Sequence, residues 1–357
     1  MNPQKIRLVD IARTCGLSVT TVGMALRGSG TISNETRSTV KRIAEQMGYV
    51  PNINAAALAL IGRKSSLNKN TTTIAAIDCP THEMDQKCIW ESRKQSLSSL
   101  AHNLGMDVKC YHAKNMTEFR RIIQTLHARG VDGIILDRLM IDLDLRTIDW
   151  NPFCVIARGR FQTSTPFSSV RECEMSKVRE AIDRLKRQGH QRIGACLLKH
   201  SKSIIDDLDR LSAILIHDTL IDKKFIIPSF NKPAPAPQET LTYNQSILSW
   251  YKEHQPDAII GFSSNFYHVL KSAGILAPRD YSFVSLNLHS NEPQIGEISG
   301  FENGECKMAE VALEQMATLL RYNRRGVPQS RLDHIITSNW IEGSSNSTNI
   351  TPRFTAT

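Results

Sequence analysis

The sequence predicts an all-α helix-turn-helix head followed by an α/β body of two lobes. Three observations carry that prediction. Residues 6–63 hold three short helical patterns and an Ala-rich segment, with no strand pattern among them. From Thr73 onward, apolar runs alternate with amphipathic helices. The alternation then restarts at Met175, which gives a second α/β unit.

The head rests on Leu8 to Arg27, LVDIARTCGLSVTTVGMALR. Ile11, Cys15, Leu17, Val22 and Ala25 can form a shared core between two short helices. Ala12 is small where the second helix must close on the first. Gly16 sits at the turn, where a positive φ has no steric cost for glycine. Ser18 can cap the second helix with its hydroxyl. Val19, Thr20, Thr21, Gly23, Met24 and Arg27 are then expected around an outward face, and a helix presented this way fits the DNA major groove. Taken alone, the pattern also fits an ordinary helical hairpin. The residues that follow decide between the two.

Ser33 to Tyr49 reads as a third helix, with Val40, Ile43, Ala44 and Met47 on one face. A break at Val50-Pro51-Asn52 precedes the Ala/Leu segment Ile53 to Ile61. With LVDIA, CGLSVTTV, ETR, GYVPN and the segment ending in Gly62-Arg63-Lys64 in this order, the chain resembles the lactose-repressor (LacI/GalR) family of bacterial transcription regulators. A looser resemblance runs to about Gly343.

Charge supports a polyanion partner. The 357-residue chain has a formal net charge of +9. Its first 64 residues hold nine basic side chains and three acidic ones, which is six of those nine charges in under a fifth of the length. The eight cysteines form no C-x-x-C pair and no His/Cys ligand cluster. Reduced thiols are therefore expected, with neither zinc nor a disulfide framework. No apolar signal region and no stretch of about 20 apolar residues is visible. A soluble intracellular protein without cofactor or membrane partner is expected, and the family resemblance implies a bacterial, nucleoid-associated one.

The body opens after a polar linker. Strands are expected at Thr73–Asp78, Asp107–Tyr111, Gly133–Asp137 and Phe153–Ala157, with helices at Lys87–Leu104 and Thr117–Arg129 between them. The second unit starts with a helix at Met175–Gln188. Strands then follow at Arg192–Leu198, Phe225–Ile227, Ala258–Phe262 and Phe283–Leu286. Helices lie near Ile204–His217, Glu239–His254 and Phe266–Ala273. The resemblance implies a type-I periplasmic-binding-protein-like body with crossovers near Ser168, Ser299 and Gln329. The expected organisation is a head over residues 1–62 with a hinge helix at about 53–61, a linker over 63–71, and a body over 72–343. Lobe one takes about 72–167 and 300–328, lobe two about 169–298 and 330–343, and 344–357 form a flexible tail.

No catalytic constellation is present. Gly28-Ser29-Gly30 is a near miss for a dinucleotide loop, but it joins two helices and no strand precedes it. There is no P-loop, no G-x-S-x-G and no H-E-x-x-H. A non-enzyme is expected, although an α/β scaffold by itself does not exclude catalysis.

What the resemblance implies for the head is specific. Val19, Thr20 and Met24 would reach base edges, and Ser18, Thr21, Thr31 and Thr36 the DNA backbone. Leu8, Arg27, Tyr49 and Asn52 would complete the head's contacts. In the hinge, Ala55 and Ala59 would allow close helix approach, and Leu58 would wedge a central base step. Isolated helices this short are marginal in water, so the hinge would fold only beside its dimer mate. Two departures stand out. Family members commonly carry Ser-Arg where this chain has Gly23-Met24, and Met has no donor for guanine. Leu60 adds a residue before Gly62, which leaves the register of Leu58 against Leu60 open.

In the body, Arg210 matches a family arginine that often binds a small-molecule effector. Asn287 and Leu288 stand where two effector-binding acids are common, and Ser263, Ser264 and Asn265 where an Asn-Asp pair is expected. Two readings stay open. One is a homodimeric repressor of a pseudo-palindromic double-stranded DNA operator, with a small-molecule effector near Arg210 and Asn287. The other is an effector-independent DNA-binding regulator with a vestigial sensor body.

Overall fold

The computed structural model describes residues 6–27, 32–49, 72–79, 87–139, 141, 143–161, 165–200, 204–233, 235–289 and 296–346. The head is three helices, α1 (Leu8–Cys15), α2 (Val19–Arg27) and α3 (Asn34–Gln46). Ile11, Ala12, Val22, Ala25, Val40 and Ala44 form its core. Cys15, Leu17, Ile43 and Met47 pack around them, half-buried. The turn after α1 works as its glycine requires. Gly16 takes φ +63°, and Leu17 N–H then reaches the Ala12 carbonyl at 3.0 Å. Gly23 departs from expectation, because it is buried rather than outward. It is flanked by buried Val22 and half-buried Met24, and only a residue without a side chain adds no bulk there.

Two six-stranded sheets build the body. The first contains β1 (Thr72–Cys79), β2 (Met106–His112), β3 (Gly133–Leu139), β4 (Cys154–Phe161), β5 (Ser169–Glu172) and β11 (Asp333–Ile336). The second contains β6 (Ile193–Lys199), β7 (Phe230–Pro233), β8 (Ala258–Gly261), β9 (Ser282–Leu288), β10 (Ser299–Glu302) and β12 (Trp340–Ile341). The orders β11-β5-β4-β3-β1-β2 and β12-β10-β9-β8-β6-β7 are one plan used twice. The strand pairs are parallel except β10 with β12.

Helices α4 (Lys87–Asn103), α5 (Met116–Ala128) and α10 (Glu305–Arg321) cover the first sheet. The second is served by α6 (Glu174–Arg187), α7 (Ile205–Thr219), α8 (Thr240–His254) and α9 (Asn265–Ser272). Both faces of each sheet are covered, which is why the strands read as continuous apolar runs. In β1, Ile74 and Ala76 face a core shared with Met308, Leu313 and Met316 of α10. Ala75 and Ile77 face the opposite core, with Phe119, Trp150 and Phe153. Among the described residues, no helix is long and apolar enough to cross a membrane.

Three expectations are corrected. The strand expected at Phe225–Ile227 is a short 3-10 turn over Lys223–Phe225, and the strand forms later, at Phe230–Pro233. Pro228 interrupts the earlier run. Phe230 supplies the real anchor, edge-on to Tyr243, Trp250 and Phe266. The lobe crossings also move. β5 and β11 complete the first sheet and β10 belongs to the second, so the chain crosses after Glu172, Glu302 and Ile336 rather than near Ser168, Ser299 and Gln329. Each of these strands is four residues long and partly polar, too weak a pattern to show which sheet owns it. Finally, the start of the expected tail, residues 344–346, is anchored to the second sheet. Ser345 is fully buried, exchanges backbone and side-chain bonds with Phe283 at 2.8 Å, and accepts from Ser299 N–H at 2.9 Å.

Candidate DNA-reading face and interlobe cleft

The start of α2 is where the head offers side chains to a partner. Ser18 precedes it, and its Oγ accepts from Thr21 N–H at 3.0 Å while lying 2.8 Å from Thr21 Oγ1. α3 begins the same way. Ser33 Oγ accepts from Thr36 N–H at 3.2 Å and lies 2.8 Å from Thr36 Oγ1. Both helices therefore start with a Ser-x-x-Thr cap whose serine is exposed. A helix N-terminus carries partial positive charge and unpaired N–H groups, which suits phosphate. Between these caps, Val19 is 44% exposed and Thr20 is exposed, although the head core is adjacent. Met24 is half-buried one turn along.

The remaining head positions differ in kind. Leu8 opens α1, and both Leu8 and Tyr49 lie half-buried against the head core. Arg27 is the last residue of α2. Thr31, Asn52, Ala55, Leu58 and Ala59 lie outside the described residues.

The carboxyl ends of the body's strands and the segments that follow them carry buried, paired charges. In the first lobe, Arg138 binds Asp78 with both prongs, Nε to Oδ1 at 3.0 Å and Nη2 to Oδ2 at 2.5 Å. Arg138 sits at φ +37°, at a shift in the β3 register, so this fork holds a strained backbone. Arg158 binds Asp137 at 2.5 Å and is 1% exposed. The sequence carried a signal for these four that went unread: charged residues close the apolar runs TIAAID, GIILDR and VIAR.

In the second lobe the charges form a chain. Arg210, expected to face an effector, is 1% exposed. Its Nη1 donates to Glu174 Oε2 and its Nη2 to Asp207 Oδ1, each at 2.6 Å. The guanidinium also lies over the Phe262 ring, 4.4 Å from its centre. Asp207 in turn meets His200 Nδ1 at 2.9 Å. Burial opposes the charge on Glu174, but Lys177 and Arg210 outweigh it and hold the carboxyl at about 2. Arg210 is thus engaged within its own lobe. Carboxylates on the same lobe occupy both of its terminal nitrogens, because a buried guanidinium must be paired where it lies. Asn287 is 8% exposed, accepts from Asn303 Nδ2 at 2.7 Å, and lies 3.3 Å from His289 Nε2. The family resemblance singled out both residues but could not show what they touch.

Comparison with known proteins agrees with both parts. Residues 7–52 match the family model "Bacterial regulatory proteins, lacI family". Catabolite control protein A of Staphylococcus xylosus is 25% identical over 298 residues, 79% of this chain and 82% of that protein. The lac repressor dimer, solved with operator and the anti-inducer ONPF, is similar in fold at a TM-score of 0.56 and 15% identity, covering 96% of this chain and 99% of that one. A periplasmic binding protein/LacI transcriptional regulator from Alkaliphilus metalliredigens, complexed with D-xylulofuranose, gives 0.56 at 16% identity over 77% of this chain and 99% of that one. The chain thus joins a helix-turn-helix head that matches the lacI family of bacterial regulatory proteins to a two-sheet body similar in fold to LacI and periplasmic-binding-protein-like regulators, the organisation of a DNA-binding transcription regulator.

Proposed function

We propose that the protein is a repressor that binds a pseudo-palindromic operator as a homodimer. α2 lies in the major groove. Val19, Thr20 and Met24 face base edges, and Ser18, Thr21 and Thr36 face phosphates. The observation that carries this reading is Val19, an apolar side chain held 44% exposed at the start of α2, beside the exposed Ser18 and Thr20. Affinity comes mostly from phosphate contacts, and specificity from the base edges. Ala55, Leu58 and Ala59 contribute a hinge helix in the minor groove, formed against the same segment of the partner copy. A small molecule in the interlobe cleft modulates operator affinity. A similar repressor fold with operator and anti-inducer, and another with a sugar, support this reading of the body.

One observation favours a second reading, an effector-independent regulator. Arg210 and Asn287 are already engaged by the chain's own groups. An effector reaching Arg210 has to displace Asp207 or Glu174, so its anionic or hydroxyl groups must replace a charge-assisted bond.

Leu58→Ala tests the hinge. It is expected to weaken specific DNA binding while leaving the body's melting transition unchanged, because the wedge that offsets DNA bending is lost. Leu60→Ala should be near silent. The reverse pattern, measured by operator titration, moves the wedge to Leu60. A metabolite screen that follows thermal stability and operator affinity together separates the two readings of the body. A ligand that shifts both favours the sensor.

A further inference from the structure

The three chain crossings between the lobes meet at one carboxylate. Glu172 closes β5, immediately before the first crossing. Its Oε1 accepts from Gly304 N–H at 3.0 Å and from Ser338 Oγ at 2.5 Å, and it lies 2.7 Å from Lys177 Nζ. Gly304 lies in the second crossing and caps α10. Ser338 lies in the third, between β11 and β12. Lys177 belongs to α6 of the second lobe and also donates to the Leu286 carbonyl of β9 at 3.4 Å. One oxygen therefore gathers an inner strand of the first sheet, both later crossings and a helix of the second lobe.

Gly304 supplies an independent observation. Its φ of −77° is open to any residue, so conformation does not demand glycine. Space does. A Cβ there would lie 2.6 Å from Glu172 Oε1 and 2.9 Å from Glu172 Cδ. Both candidate effector residues also lead back to this point. Arg210 is joined through Glu174, which Lys177 touches at 3.1 Å. Asn287 is joined through Asn303, whose Oδ1 accepts from Glu305 N–H at 3.0 Å.

We propose that Glu172 is a positioning residue that pins the angle between the lobes, and that the Lys177–Glu174–Arg210 chain and the Asn303–Asn287 bond connect the cleft to this pin. A group that takes Arg210 from Glu174 leaves Glu174 buried with Lys177 as its remaining cation. Lys177 is then drawn toward Glu174 and away from Glu172, and the pin loosens. The consequence for DNA rests on the reading above, in which the body sets the head's affinity.

The test is a double-mutant cycle in the full chain with Gly304→Ala, Glu172→Ala and the pair. It is read by affinity for an operator selected from random DNA and by hydrogen exchange at residues 303–305 and 337–339. Gly304→Ala alone is expected to change operator affinity at least about fivefold, the lower end of ordinary coupling. In the Glu172→Ala background the same change should have less than about a twofold effect, because the atoms it meets are gone. Ser338→Ala adds no atoms and should speed exchange at Gly304 as well as in its own crossing. Equal effects of Gly304→Ala in both backgrounds overturn the proposal. So does a folded Ser338→Ala variant with unchanged exchange at Gly304. If the wild type binds no selected DNA, the functional reading fails instead, and the exchange measurements alone decide whether Glu172 is a pin.

Discussion

The head and the body of this chain treat their polar side chains in opposite ways. In the head, Ser18, Thr20 and Ser33 stand exposed at helix starts, with Val19 beside them. In the body, Asp78, Asp137, Arg158, Glu174, Lys177 and Arg210 are each under a tenth exposed and engaged with one another or with neighbours. A surface that reads DNA must leave its donors and methyl groups available, because phosphates and base edges supply the missing partners. A cleft between two lobes can be completed from within. The difference teaches that residue type alone does not distinguish a ligand-binding arginine from a structural one. What decides is whether its hydrogen bonds are already made.

The comparison breaks most easily at Arg210. Arg210→Ala takes a cation from each of the buried carboxylates Glu174 and Asp207, and the body should lose about 3–5 kcal/mol in urea denaturation. A loss below about 1 kcal/mol, as for an exposed pair, would mean that the guanidinium is available to a ligand after all. Met24 sharpens the head side. Met24→Arg adds a bidentate donor one turn along the exposed face, so preference should move toward guanine at one symmetric position per half-site. The expected discrimination is about 1–3 kcal/mol. Matching binding profiles for mutant and wild type would place Met24 away from the bases. The smallest effect is expected at Ser18. Ser18→Ala removes the cap on Thr21 N–H and should cost the head about 1 kcal/mol. It should weaken binding evenly across DNA sequences, since a hydroxyl on phosphate carries no sequence information. A sequence-dependent loss would put Ser18 on a base edge.

Much of this was legible in the sequence, for identifiable reasons. The head helices announced themselves through Gly16, Ser18 and Ser33, where local chemistry sets the boundary. Long body strands such as β1 and β3 were visible because burial on both faces makes a continuous apolar run. The lobe crossings were misplaced because β5 pairs with β11 and β10 with β12, neighbours far along the chain. Only the pairing shows which sheet each one joins. Arg210 was singled out by its match to a family arginine, but its partners Glu174 and Asp207 come from two different helices. Gly23 looked outward by helical spacing and is inward, a one-position error that a residue without a side chain cannot reveal.

The most direct test of the account is footprinting of the full chain on a site selected from random DNA. Two helix-turn-helix heads, each presenting α2, should give two-fold symmetric protection, with half-sites about one helical turn or a multiple of it apart. Binding should also weaken steeply with salt. Tight protection of a single unsymmetrical half-site by a monomer would contradict it.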